Sequence, residues 1–143
     1  MSVKPVFIDT NIFVYAMQND DKDIVKERSA KTFLENIENQ VIISTQVLNE
    51  FSNVLIRNKV ENQKIRDLVE SIIEECQVNA IGLNAVIKAW DIRIRYNFSY
   101  WDSLIISSAL LSNCSTLYSE DLQHNQRIEN RLIVINPFEE LAL

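Results

Sequence analysis

Five short apolar runs, rich in β-branched residues, constrain this chain more than any other feature. They are 6–8 (Val-Phe-Ile), 41–43 (Val-Ile-Ile), a weaker one within 77–83 that holds Val78 and Ile81, 116–118 (Thr-Leu-Tyr) and 132–135 (Leu-Ile-Val-Ile). Each is the length of a short buried strand. Between them, apolar residues recur at helical spacing. Ala30, Phe33, Leu34 and Ile37 predict a helix over about 23–37. Val47, Leu48, Phe51, Val54 and Leu55 predict one over about 46–58, with Thr45 as its cap. Ile65, Leu68, Val69, Ile72 and Ile73 mark another, and Val86, Ile87, Trp90 and Ile94 one over 84–96. Shorter or more uniformly apolar helices are expected over 11–17 and from Ser99 to about Leu111. Uniformly apolar strands alternating with helices imply a parallel sheet covered on both faces, an α/β/α sandwich of three layers with five strands. Ligands of such sheets bind beyond the carboxyl ends of the strands, where the strand order reverses.

Composition narrows the function. The chain has 143 residues, 47% of them hydrophobic, enough for one core, and no linker or repeat divides it; it is expected to be one domain over 1–143. The single glycine, Gly82, excludes glycine-rich phosphate loops. One histidine, His124, in a polar stretch that reads as a solvated loop, excludes histidine-rich zinc sites. Cys76 and Cys114 read as reduced core thiols of a cytoplasmic protein. The apolar run at 6–8 is too short for a signal-peptide core, and the charge-free stretch 103–119 reads as buried helix and strand, so no membrane association is expected. The net charge of −6 argues against a nucleic-acid coat protein. It is compatible with a nuclease whose acids form a metal site, because those charges are neutralised once the ion is bound.

The placement of the acids is the informative observation. Asp9 directly follows the first strand, and Asp121 follows the fourth by three residues. Glu50 flanks the apolar face of its helix, about 40° from Val54 and 60° from Val47 at roughly 100° per residue. Asp102 opens the most apolar helix. Each acid alone also has a local explanation. Asp9 and Asp121 suit turns or caps, Glu50 a solvated helix edge, and Asp102 a capping box with Ser99. One site explains all four together. Four carboxylates without histidine or cysteine suit a hard cation, Mg²⁺ or Mn²⁺. Such an ion relieves their mutual repulsion and can activate water toward a phosphodiester.

At these residues the chain resembles a known family. Asp9-Thr-Asn11, Ser44-Thr-Gln-Val-Leu-Asn-Glu50-Phe, Tyr100-Trp-Asp102-Ser-Leu-Ile and Leu117-Tyr-Ser-Glu-Asp121-Leu are similar to the successive motifs of PIN-domain ribonucleases, and most of all to the VapC-type toxins of toxin–antitoxin pairs. The resemblance spans Val6 to Pro137. It implies a five-stranded parallel sheet with the first strand central. It also implies that Asp9, Glu50, Asp102 and Asp121 hold one or two Mg²⁺ or Mn²⁺ ions, with Asn11 and Ser119 supporting the acids. Glu120 adjoins Asp121, so either could be the fourth acid; the Ser-x-Asp register favours Asp121. The implied activity is metal-dependent endonucleolytic hydrolysis of RNA. The implied partners are an RNA substrate, a protein antitoxin and a second copy of the chain.

Arg57, Lys59, Arg93 and Arg95 are candidate RNA contacts, near the aromatic residues Tyr96, Phe98, Tyr100 and Trp101. Basic residues late in a helix also complement its dipole, and Trp101 is expected in the core. Other readings differ at identifiable positions. A response-regulator-like phosphoacceptor needs paired acids after the first strand and a lysine after the last, where this chain has Asp9-Thr-Asn11 and Asn136-Pro137. A haloacid-dehalogenase-type phosphatase needs Asp-x-Asp, and position 11 is Asn. A housekeeping RNA-processing PIN nuclease and a non-catalytic PIN-like interaction module share the resemblance.

Overall fold

A computed structural model describes residues 3–17 and 23–139. Its elements follow the expected alternation: β1 (Val6–Ile8), α1 (Thr10–Met17), α2 (Ile24–Asn36), β2 (Val41–Ser44), α3 (Thr45–Arg57), α4 (Asn62–Glu75), β3 (Gln77–Asn79), α5 (Leu83–Tyr96), α6 (Tyr100–Leu111), β4 (Thr116–Tyr118), β5 (Arg127–Ile128) and β6 (Leu132–Ile135). The strand order is β3-β2-β1-β4-β6-β5. The five expected strands are all present and parallel, with β1 at their centre; the sixth, β5, is a two-residue antiparallel addition at the edge. The chain steps outward from β1 to β2 and β3, then returns through α5 and α6 to β4 on the other side of β1. Right-handed crossovers in opposite directions place helices on both sides of the sheet. The order therefore reverses between β1 and β4, where Ile8 pairs with Tyr118.

The core explains the tolerance of such short strands. Phe7, Ile8, Ile43 and Leu117 are fully buried and pack against Ile12, Phe51, Leu55 and Ile106 from the helices. In α6 the eight residues Ser103 to Leu110 are all buried, as expected of a helix apolar on every face. Two of its three buried serines bond to backbone: Ser107 Oγ donates to the Ala85 carbonyl at 2.7 Å, and Ser103 Oγ to the Ser99 carbonyl at 2.8 Å, while the buried Ser108 hydroxyl has no hydrogen-bond partner among the described residues.

Several local expectations are corrected. Ser44, not Thr45, occupies the N-cap of α3 and makes no side-chain cap bond. Strand β2 runs straight into the helix, and the Thr45 hydroxyl instead accepts the Ile81 N–H at 3.2 Å. That bond follows the early end of β3, after which Ile81 packs with Ala85, Ala89 and Leu104. The inward face of α5 is Ala85, Ala89 and Ile92. Leu83, Ile87, Trp90 and Ile94 form a solvent-facing stripe, each at least half exposed, within about 60° on the helix wheel. Small residues win the inner face because α6 packs close to α5, with Ser107 bonded to the α5 backbone. Trp101 is also outside the core, 64% exposed at the first turn of α6. His124 is half-buried, and its Nδ1 accepts the Asn136 N–H at 3.0 Å, closing the turn beyond β6. Both cysteines are free, and burial pushes their thiols up to about 11 for Cys76 and about 12 for Cys114.

One glycine serves the whole chain, so other residues take the left-handed backbone positions. Asn97 (φ 62°) caps α5 with its N–H on the Arg93 carbonyl at 2.8 Å, and Asn113 (φ 59°) and Lys59 (φ 61°) follow α6 and α3.

Candidate active site

The reversal point between β1 and β4 carries the first acids. Asp9 N–H donates to the Tyr118 carbonyl at 2.9 Å, so the ladder ends with Asp9 and Ser119 side by side. Asp9 is 7% exposed. Its carboxylate accepts the Thr10 N–H at 2.7 Å and the Ser119 hydroxyl at 2.9 Å. Ser119 Oγ in turn accepts the Asp121 N–H at 3.2 Å. Asn11, in the first turn of α1, donates from Nδ2 to Asp121 Oδ2 at 3.1 Å. Thus Asn11 and Ser119, the two expected supporting residues, both contact the acids.

Asp102 and Glu50 approach from helices. Asp102 sits in the first turn of α6, where its N–H donates to Ser99 Oγ at 3.1 Å. Only the Ser99 half of the expected capping box is therefore seen among the described residues. Glu50 lies in the middle of α3 and keeps an open face to solvent.

The electrostatics tie the four together. Burial pushes Asp9 up to about 6, against the hydrogen bonds from Thr10 and Ser119, with Asp121 and Asp102 adding repulsion. Burial also pushes Glu50 up to about 7, reinforced by Asp9 and Asp102. Asp121 is raised by burial and then by Asp102 and Glu120, while Asn11 and Lys26 oppose the rise. Asp102 adds to the rise at each of the other three. Among the described residues no three acidic, histidine or cysteine side chains grasp a common point as they stand. The quartet is an electrostatic cluster, not a closed cage, and Glu50 and Asp121 are its exposed, adjustable members.

Glu120 turns away from this cluster. It accepts a 2.8 Å hydrogen bond from the Tyr15 hydroxyl and pairs with Lys26 of α2. Sequence reasoning missed this clamp, since Lys26 lies 94 residues from Glu120. It also missed Gln46, one helical turn before Glu50, whose buried amide donates to the Trp101 carbonyl at 3.1 Å and ties α3 to α6. The four-residue spacing of Gln46 and Glu50 was the available signal.

The candidate RNA contacts divide. Arg57 and Lys59 are exposed at the end of α3. Arg93 donates to the Phe98 carbonyl at 2.6 Å, and Arg95 lies 3.7 Å from Glu129, so both are engaged in holding the end of α5. Beside Glu50 a groove of about 470 Å³ opens between α3 and α6, walled by Asn49 and Asn53, floored by Ile81 and Leu104, with Trp101 at its lip.

The PIN domain family profile matches residues 6–128, and the chain belongs to that family. Solved structures agree on the fold. The toxin–antitoxin complex from Klebsiella pneumoniae is 20% identical with a TM-score of 0.70, covering 94% of this chain and 98% of that one. VapC20 of Mycobacterium tuberculosis, a sarcin–ricin loop cleaving toxin, is 18% identical with a TM-score of 0.65, covering 80% and 88%. VapBC2 from Rickettsia felis, bound to a DNA fragment from its promoter, is 21% identical with a TM-score of 0.64, covering 92% and 98%. A search of curated proteins finds no match.

Proposed function

We propose that this chain is a metal-dependent endoribonuclease, one nuclease domain that hydrolyses RNA phosphodiester bonds at Asp9, Glu50, Asp102 and Asp121, and that it is the toxin of a toxin–antitoxin pair. What supports this reading is that Asp9, joined to Asp121 through Ser119, stands at the strand-order reversal, and that Asp102 adds to the rise of Asp9, Glu50 and Asp121. Membership of the PIN-domain family supports it. So do fold neighbours described as a sarcin–ricin loop cleaving toxin and as toxin–antitoxin complexes.

The donor chemistry fits Mg²⁺ or Mn²⁺, since every ligand offered is a carboxylate oxygen and the cluster repels itself without a cation. Asp9, Glu50, Asp102 and Asp121 would hold one or two such ions, with the Asp9 carboxylate fixed by Thr10 and Ser119 and that of Asp121 by Asn11. A metal held by these acids would supply a lowered pKa for water and charge neutralisation at the phosphodiester. The chain's own residues do the rest. Ser119 and Thr10 fix the Asp9 carboxylate, Asn11 orients Asp121, and the Ser99 cap sets the helix turn that carries Asp102.

Two partners follow. An antitoxin segment with a basic side chain is the natural occupant of an acidic site that must be silenced in its host cell. The exposed stripe on α5 is the surface for a second copy, since self-complementary apolar patches pair by twofold symmetry. Among the described residues no helix is long and apolar enough to cross a membrane. The proposed location is the cytoplasm.

The test is cleavage of RNA with Mg²⁺ or Mn²⁺ by the wild type and by Asp9→Asn, Glu50→Gln, Asp102→Asn and Asp121→Asn. Each variant should fold and lose most activity. Expression of the wild type alone should slow growth, Asp9→Asn should not, and co-expression of a small protein encoded next to it should restore growth through a stable complex. A wild type that cleaves RNA yet is harmless at high expression is a housekeeping nuclease.

A further inference from the structure

We infer that the groove beside Glu50 is a nucleobase subsite, in which Trp101 stacks on the unpaired base next to the scissile phosphate and the Asn49 and Asn53 amides meet its edge. This rests on the nuclease reading and specifies its substrate as RNA unpaired at the cut. Four observations carry it. First, Trp101 is 64% exposed, its backbone is tied to α3 by the Gln46 Nε2 bond to its carbonyl at 3.1 Å, and its ring meets that of Tyr100 edge-on at 5.4 Å. An exposed indole beside an apolar floor is a stacking platform. Second, the walls are neutral primary amides, each with donors and an acceptor, which match the edges of a base. Among the described residues no cation lines the groove, which favours a base over a phosphate there. Third, its volume of about 470 Å³ suits one planar heterocycle and its sugar, and its floor of Ile81 and Leu104 is apolar.

The fourth observation is register. Gln46, Glu50, Asn53 and Arg57 share one face of α3, with Arg57 about 10 Å beyond Glu50 at 1.5 Å per residue. The helix thus presents an acid, an amide and a cation in sequence. A strand whose scissile phosphate lies at the acids places a base over the amides and a further phosphate toward Arg57. A protein segment would find apolar floor here but amide walls with no charge to pair with, apart from Glu50 itself.

The chain has two tryptophans, so Trp90→Phe leaves Trp101 as the sole indole emitter. In that variant, short single-stranded oligoribonucleotides should quench the emission saturably. Trp101→Ala should lower kcat/KM on the same oligonucleotide about tenfold to a hundredfold, with Trp101→Phe recovering most of it. On an oligonucleotide abasic beside the cut, wild type and Trp101→Ala should be equal. Equal cleavage of the intact substrate by wild type and Trp101→Ala overturns the subsite while leaving the nuclease standing. Absence of metal-dependent cleavage by the wild type overturns the nuclease reading, and the quenching titration then decides the subsite by itself. Quenching by a co-expressed protein or by self-association, with none by RNA, assigns the groove to a protein and also overturns the proposal.

Discussion

The Ser119 hydroxyl donates to Asp9 Oδ2 at 2.9 Å and at the same time accepts the Asp121 N–H at 3.2 Å, so one atom sets the spacing of two acids from neighbouring strands. Ser119→Ala removes a hydrogen bond that favours the ionised Asp9 and leaves the Asp121 N–H unpartnered. Bonds to charged groups contribute about 1.5–3 kcal/mol. Activity should fall at least about tenfold at pH 7, with the acid limb of the pH–rate profile moved to higher pH, and Ser119→Thr should recover much of it. An unmoved acid limb would count against this bridge.

Without divalent metal, stability should fall as pH rises from about 4 to 7. Asp9 is raised from 3.8 to about 6 and Glu50 from 4.5 to about 7, so the folded protein holds these protons when the unfolded chain has released them. Protons bound in excess by the folded state make stability decrease with pH across that window, and the loss is complete above it. Buried Asp9 accounts for on the order of 3 kcal/mol, and solvent-screened Glu50 for less. Melting in a chelator at pH 5 and pH 8 should give the lower Tm at pH 8, with the difference much reduced in Asp9→Asn.

Mg²⁺ or Mn²⁺ should reverse that loss. Binding to the folded state stabilises by mass action, about 2.7 kcal/mol at 100 times the Kd. Tm should rise with metal at fixed ionic strength in the wild type and not in Asp9→Asn. An equal rise in both would remove the four-acid site from consideration.

Much of this site is legible in the sequence, for physical reasons. An apolar run too short for anything but a buried strand fixes where Asp9 falls, and the Ser-x-Asp register selects Asp121 over Glu120. In the structure Glu120 is engaged by Tyr15 and Lys26 instead. The wheel position of Glu50 followed from the apolar residues around it. The orientation of α5 did not. Periodicity ranks Ile87 and Trp90 above Ala85 and Ala89, but close packing against α6 favours the small residues. Long-range polar ties such as Gln46 to the Trp101 carbonyl leave no local pattern to read.

Glu120→Gln should keep most of the activity. The Lys26–Glu120 pair is half-buried and links α2 to the loop after β4, so its loss should appear as a Tm lowered by a few degrees. An inactive Glu120→Gln beside an active Asp121→Asn would exchange the roles of the two acids.

The α5 stripe gives a prediction independent of chemistry. Ile87→Glu and Ile94→Glu put charge on an exposed apolar face and should leave the fold intact. Sedimentation should show a dimer for the wild type and a monomer for either variant. A wild type that stays monomeric at high concentration frees the stripe for another partner.

The left-handed residues after the helices have a practical consequence for anyone handling this protein. Gly82 occupies an extended position at φ −106°, so the one residue suited to a left-handed turn is not at any of them. Lys59, Asn97 and Asn113 each hold that conformation with a side chain, which disfavours it by about 1 kcal/mol, less for asparagine. Part of the molecule's thermal margin is therefore set at helix ends and not in the core. Asn113→Gly, at a left-handed helix end away from the acids, the groove and the α5 stripe, should raise Tm slightly, so durability can be adjusted separately from the proposed site.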